Sequence, residues 1–482
     1  MFETSFWLLI KTLAYNIILP LIPGILFLWI FFGQKLHGIL LYLLWRFVGV
    51  GIVAFSLFNL QFVRFWIGLS EYFLILWILI VILISKILYK KLAFKEYSLT
   101  LKVKNIFSQI KESFFSLSKI EKIFTLILWI FWISFLIVTF VHTTSFPTYA
   151  DDSFGNWNSP TYNIYQDGGV KIFWEKTEIL WRWRLGYPIY IPIYKSTVSH
   201  FIWSFNDVYI NLWQWLVFFW LLLFVFSITF TKTKNIFYSI LPVGLLTALP
   251  LVYFHATEWY MELACATYSV LTIWALRKFL EEKEYSYISL ALLLGFILSH
   301  IKNDWLLWYF AGIIITFGII LLVSKQLKVF LQWFLKNKAA IYSSLFYFIF
   351  FFLPFLMVKF FYWLWFNQSA GQWTSDNVWL TIHSEIFNQF KSIFFGMDNY
   401  NVVIIIILLM WIFWYLYKKH DTKTLFLFLT PIVIFIIFVL VFLLTENYIF
   451  AMNQTTINRV FTMSFVILFA FIWLFFYKEW KN

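Results

Sequence analysis

The strongest constraint on this chain is a succession of apolar runs, about thirteen of them, each about 17 to 25 residues long and able to cross roughly 30 Å of hydrocarbon as a helix. They fall at 7–32, 38–60, 66–88, 122–143, 207–230, 236–254, 261–279, 287–301, 305–323, 341–365, 401–417, 424–445 and 459–477. The run 287–301 is short and suits a partial span, and the first three suit a hairpin plus one helix. Only 12% of the residues are charged, against about 25% in a soluble domain. The predicted fold is an all-α polytopic membrane protein of about 13 transmembrane helices with an outer loop of interfacial amphipathic helices. The first run follows the acidic start "MFETS" without a small-residue cleavage pattern, so it reads as a span and not as a removable signal peptide.

Basic residues give the orientation. The loops at Lys35, 86–122, 232–234, 277–283, 325–338, 418–423 and the C-terminus hold 24 Lys and Arg, whereas the alternate loops hold 9. By the positive-inside rule the first set is cytoplasmic, which places the N-terminus outside and the C-terminus inside a cell membrane. The net charge of +13 is therefore spent on membrane flanks and does not point to nucleic acid. Acidic residues are biased the other way, with 8 of 23 on the inner side, and an acidic outer face suits a site for hydroxyl groups or cations.

Three regions follow: N-terminal transmembrane helices over 1–93, a basic amphipathic segment over 94–121 suited to anionic lipid, and a membrane module over 122–482 with a long outer loop, 144–206. Aromatic and charged residues interleave in that loop, as expected of interfacial helices on the outer leaflet. Arg46 and Lys359 lie within spans but close enough to an interface to snorkel. With no inverted halves in the hydropathy, that counts against a transporter. The single cysteine, Cys265, rules out an intrachain disulfide, and its apolar setting suits packing against lipid. No Cys/His cluster has zinc spacing.

Chemistry-bearing residues gather at the outer ends of spans. "FPTYADDSFGNW" sets Asp151 and Asp152 just past a span. Adjacent carboxylates near an apolar surface repel, so one should hold its proton unusually well unless a cation or hydrogen bonds neutralise it. Such a pair suits a general base or a divalent cation, and equally a solvated turn with an Asp cap. "HATEWYMELACATY" spaces His255, Glu258 and Glu262 as i, i+3 and i+7, one face of a helix if the segment is helical. That face lines a cavity or forms a solvated collar. "SHIKNDWLLWY" carries Lys302, Asn303 and Asp304, and "NQTTINRVF" carries Arg459. Each cation is equally suited to a phosphate or to a membrane edge.

Taken in order, these features resemble the integral-membrane class C glycosyltransferases, in particular the bacterial protein-mannosyltransferase-like and lipid A aminoarabinose-transferase-like groups. The carriers are the acidic first outer loop, the "GYP" turn with Tyr187, the "QDGGV" run of Gln166 to Val170, the acidic start of a span, the "KND" turn and the late outer Arg459. The likeness covers roughly 122–477. The chain departs from the family in placing three spans and a basic segment before the loop, and its Asp-Asp pair leaves open which carboxylate is the essential one.

The resemblance implies a polyprenyl-phosphate sugar as donor, entering from the membrane lipids, and an acceptor hydroxyl on a protein, lipid or glycan. Asp151 or Asp152 would be the base for inverting attack. Lys302, Arg459, Arg182 and Arg184 would hold the donor phosphate. His255, Glu258, Glu262, Asp304 and Tyr187 would contact the substrates. No metal ligand is assigned, a divalent cation at Asp151/Asp152 being the option left open. The competing readings are a lipid-linked oligosaccharide flippase and a polysaccharide polymerase or ligase.

Overall fold

The computed structural model describes residues 2–32, 39–62, 68–90, 103–147, 153–170, 187–258, 260–302, 310–361, 382–395, 422–444, 452 and 464–472. In chain order the helices are α1 (Phe2–Phe32), α2 (Ile39–Gln61), α3 (Leu69–Lys90), α4 (Val103–Ser116), α5 (Lys119–Ser145), α6 (Ser159–Asp167), α7 (Tyr190–Ile202), α8 (Leu212–Thr233), α9 (Ile236–Thr247), α10 (Pro250–Thr257) and α11 (Glu262–Glu282). They continue with α12 (Tyr285–Ser299), α13 (Ala311–Val323), α14 (Leu327–Lys336), α15 (Lys338–Tyr347), α16 (Leu353–Phe361), α17 (Ile386–Phe395) and α18 (Thr422–Leu444). No strand occurs among the described residues. Seven helices there are long and apolar enough to cross a membrane, or eight if the bent pair α13–α14 counts as one span. The run 401–417 and most of 459–477 lie outside the described residues.

Two compact units share the chain. One comprises Met1–Ala264 and Ile349–Trp363, the other Cys265–Phe348 and Leu364–Asn482.

The first unit is organised by a tight α1–α2 hairpin. A Cβ on Gly24 would stand 2.0 Å from the Trp45 carbonyl oxygen, and one on Gly49 would stand 1.9 Å from that of Pro20, so the two backbones touch where only hydrogen fits. Two prolines inside α1 remove the N–H groups that would close the helix onto Asn16 and Leu19. Both freed carbonyls find partners elsewhere. The Asn16 oxygen accepts from Arg46 Nη1 and from the Tyr194 hydroxyl at 3.1 Å, and the Leu19 oxygen accepts from the Tyr72 hydroxyl at 2.9 Å. Arg46 is 0% exposed. The expectation that it snorkels is corrected: its guanidinium turns inward because helix α1 offers it an unsatisfied carbonyl. Lys359 is buried as well, its amine 5.4 Å from the centre of the Phe355 ring.

Helix α5 starts on a capping box, Ser118 accepting from the Glu121 N–H while Glu121 accepts from the Ser118 N–H. One narrow stripe, Thr125, Trp132, Thr139 and Thr143, is buried, and the Trp215 indole donates to Thr139 at 3.1 Å. Its other faces expose Ile, Leu and Phe, as a lipid-facing span requires.

Three further expectations change. The run 236–254 is not one span: Pro250 forces Leu249 into an extended conformation (ψ 116°), which separates α9 from α10. Helix α7, expected to lie on the leaflet, is instead buried on all sides from Tyr190 to Ser199. It packs against α1, α2 and α6, since its residues are apolar or small almost all the way round. Cys265 is fully buried in protein, so it does not face lipid.

In the second unit α13 packs along α18, where Gly312 lets Ile434 approach, and α12 packs on α15, with the Ser289 hydroxyl donating to Tyr347 at 3.0 Å. Helix α14 turns away from α13 by 112°.

Candidate functional site

The polar centre of the first unit forms around Ser153, the residue that follows Asp152 in sequence. Its hydroxyl donates to the main-chain oxygen of Glu258 at 2.6 Å, joining the stretch after α5 to the α10–α11 turn. A π-helical turn, Phe154–Asn158, then leads into α6 and delivers Asn158 to the protein interior.

There Asn158 meets Lys195 of α7. The lysine amine donates to Asn158 Oδ1 at 2.9 Å and to Asn211 Oδ1 at 2.8 Å, and it is 1% exposed. Asn158 Nδ2 in turn donates to Asp207 Oδ1 at 2.7 Å, and Asn211 Nδ2 donates to the Asp207 main-chain oxygen at 2.6 Å. Asn206 shapes this bend by accepting from the N–H groups of Val208 and Tyr209. The Lys195 ammonium is stripped of water, and Asp207 compensates only in part, so its pKa falls to about 7. The two asparagine oxygens take up two of the N–H groups of the amine.

The acidic turn departs from the single helical face that the spacing suggests. Helix α10 stops at Thr257, Glu258 caps it, and α11 restarts at Glu262. The cause is Gln214, whose amide donates to the His255 carbonyl at 2.8 Å and to the Tyr260 carbonyl, taking the place of the helical bond that His255 would receive. His255, Glu258 and Glu262 are all buried, which removes the solvated-collar alternative. Burial raises the proton affinity of Glu258, and Glu262 sits in the first turn of α11, where the helix dipole favours a negative charge.

The "QDGGV" run has a plain structural account. Gly168 takes the left-handed conformation (φ 67°) that ends α6, the Gly169 N–H donates to the Ile164 carbonyl at 3.0 Å, and the Val170 N–H donates to Gln61 Oε1 at 3.1 Å. Tyr187 stacks edge-on to Trp157, the ring centres 5.8 Å apart. Lys302 is half-buried and belongs to the second unit, just after α12. Asp151, Asp152, Arg182, Arg184, Asp304 and Arg459 lie outside the described residues. Just before α17, His383 Nδ1 pairs with Glu385 at 3.3 Å. No group of three His, Cys, Asp or Glu side chains suited to a metal occurs among the described residues.

Lys195 is one of the nine basic residues of the alternate loops, and none of the motifs read from the sequence includes it, Asp207, Asn211 or Gln214. The signal was a lone lysine in the apolar stretch "YIPIYKSTVSHFI", followed by "NDVYIN" with an amide four residues after the aspartate. Comparison with family models, curated proteins and solved structures yields no match for this chain.

Proposed function

We propose that the protein is a membrane glycosyltransferase that moves a sugar from a polyprenyl-phosphate carrier to an acceptor hydroxyl, with inversion, at the outer mouth of its first unit. The observation that carries this reading is the Ser153–Glu258 hydrogen bond, which ties the residue beside Asp151 and Asp152 to a turn with two buried carboxyls. One of the paired aspartates takes the acceptor proton. Glu258 and Glu262 orient hydroxyl groups, and Glu258, held neutral more readily than a solvated acid, donates a hydrogen bond while protonated. Arg182 and Arg184, in the same loop as the paired aspartates, serve the leaving phosphate. In this reading about thirteen spans cross a cell membrane with the N-terminus outside and the C-terminus inside.

Transfer of a radiolabelled sugar from polyprenyl-phosphate donors in proteoliposomes tests it. Asp151→Asn or Asp152→Asn should lower transfer by about 100-fold or more. Full activity in both variants removes the base assignment, and no transfer by the wild type from any such donor removes the reading. Arg46, enclosed within the span Leu43–Gln61, favours one second reading, a flippase for the same lipid-linked sugar. Movement of the labelled lipid across the bilayer without transfer would select it.

A further inference from the structure

Four helices of the second unit come together over an aromatic floor. Phe279 of α11 stands 6.3 Å from Phe317 of α13 and 5.4 Å from Trp333 of α14, and Phe317 stands 5.8 Å from Phe330 and 5.9 Å from Phe426 of α18. Lysines follow these rings closely in sequence. Lys283 comes just after α11, Lys325 and Lys328 flank the start of α14, and Lys423 begins α18.

The lysine ends are close in space as well. Lys283 Nζ donates to Gln326 Oε1 at 2.7 Å and lies 5.5 Å from the Phe279 ring centre, both neutral groups. Of the acids near it in sequence, Glu281 pairs with Arg277 at 2.9 Å and Glu282 with Lys278 at 2.6 Å, while Glu284 follows it directly at the exposed start of α12. Partial burial and the neighbouring Lys423 both push the Lys283 pKa down, the sign of two like charges held together. Lys283 and Lys325 also adopt left-handed backbone (φ 57° and 56°), where glycine would sit without strain.

Helix α14 supplies the other half of the corner. It has no buried residue, and it leaves Val329, Leu331 and Leu335 exposed at 65%, 47% and 69% among Lys328, Lys336 and Lys338. Bent 112° from the apolar α13, it suits a helix lying along a membrane surface and not one crossing it.

We propose that this corner binds an anionic phospholipid: α14 lies in the interface with Val329, Leu331 and Leu335 against acyl chains, while Lys283, Lys423 and Lys325 hold the headgroup phosphate. A zwitterionic lipid would bring its own cation to a corner rich in lysine, whereas an anionic one matches the excess of basic residues around α14.

Native mass spectrometry of the full chain in mild detergent, titrated with phosphatidylglycerol or phosphatidylcholine, tests this. The wild type should retain the first phosphatidylglycerol about 10- to 30-fold better, as two lysines at a lipid surface allow. The double variant Lys283→Gln, Lys423→Gln should bring the two lipids near parity. Equal retention by the wild type, or an unchanged preference in the variant, overturns the proposal. Displacement of the lipid by excess inorganic phosphate overturns the lipid assignment in favour of a free-anion site. Should the double variant fail to fold, Val329→Cys labelled with bimane in nanodiscs decides, because the native Cys265 is buried. Brominated acyl chains should quench that label, and absence of quenching overturns the placement of α14.

Discussion

Arg46 Nη1 donates to the main-chain oxygen of Asn16 on the facing helix, an oxygen left open because Pro20 has no N–H to give it. Pro23, Leu19 and Tyr72 repeat the arrangement one turn on. The prolines that cost α1 two of its own hydrogen bonds thereby mark the points at which α2, α3 and α7 attach. A buried cation here is explained by the carbonyl it completes.

The Tyr72 pairing is open to a double-mutant cycle. Tyr72→Phe leaves the Leu19 oxygen buried without its donor and should cost about 1–3 kcal/mol. In a Pro23→Ala background the restored N–H can fill that oxygen, and the cost of Tyr72→Phe should largely vanish. Equal losses in both backgrounds, read from thermal unfolding in detergent, would contradict the account.

Glycine substitutions should separate sharply. Gly24→Ala and Gly49→Ala drive a methyl into facing backbone and should destabilise by about 1–3 kcal/mol or more. Gly155→Ala meets nothing within 4 Å and should be close to neutral. Gly244→Ala, against the movable end of Leu128, should fall between. The order of apparent melting temperatures is the check.

Lys195 gives a pH signature with a definite sign. Its pKa is about 7 in the fold and near 10.5 in an unfolded chain, so between these values the unfolded state binds the extra proton. Stability therefore rises with pH across that window, by at most ~1.4 kcal/mol per unit, and the penalty is fully present below pH 7. Lys195→Met should flatten this dependence while removing the amine that donates to Asn158 Oδ1 and Asn211 Oδ1. A melting temperature in the wild type that falls from pH 7 to pH 9, relative to the variant, would refute the network's charge state.

Glu258 should behave oppositely. Burial raises its pKa above the ordinary 4.5, so the fold loses stability as pH climbs through the window above that value. Glu258→Gln should match the wild type near pH 4 and exceed it in thermal stability at pH 8. Under the proposed function it should also lower sugar transfer by at least about 10-fold at pH 7. Gain of stability with undiminished transfer would make Glu258 a structural acid only.

Helix α7 and the acidic turn show where sequence reading works and where it stops. Hydropathy located α1, α2, α5, α8, α11 and α18 within a few residues, because a span must satisfy its own backbone and needs a fixed apolar length. It misjudged α7, since a charge in an apolar aromatic segment looks alike at a membrane surface and in a polar knot between helices. The acidic turn was found by composition, but its break at Glu258 depends on Gln214, forty-one residues earlier than His255. No local pattern carries that information.

What the sequence determines by itself is the helical membrane class, the residues at span ends and the sign of the charge on each set of loops, all of which follow from local composition and the cost of bare backbone in lipid. What the tertiary structure decides is which polar groups are enclosed and who completes them: Arg46 by the Asn16 oxygen, Lys195 by Asn158 and Asn211, Ser153 by Glu258. Those partners are 16 to 105 residues apart. Hydrogen bonds act over about 3 Å, so only the folded chain can say which distant donors and acceptors come within reach.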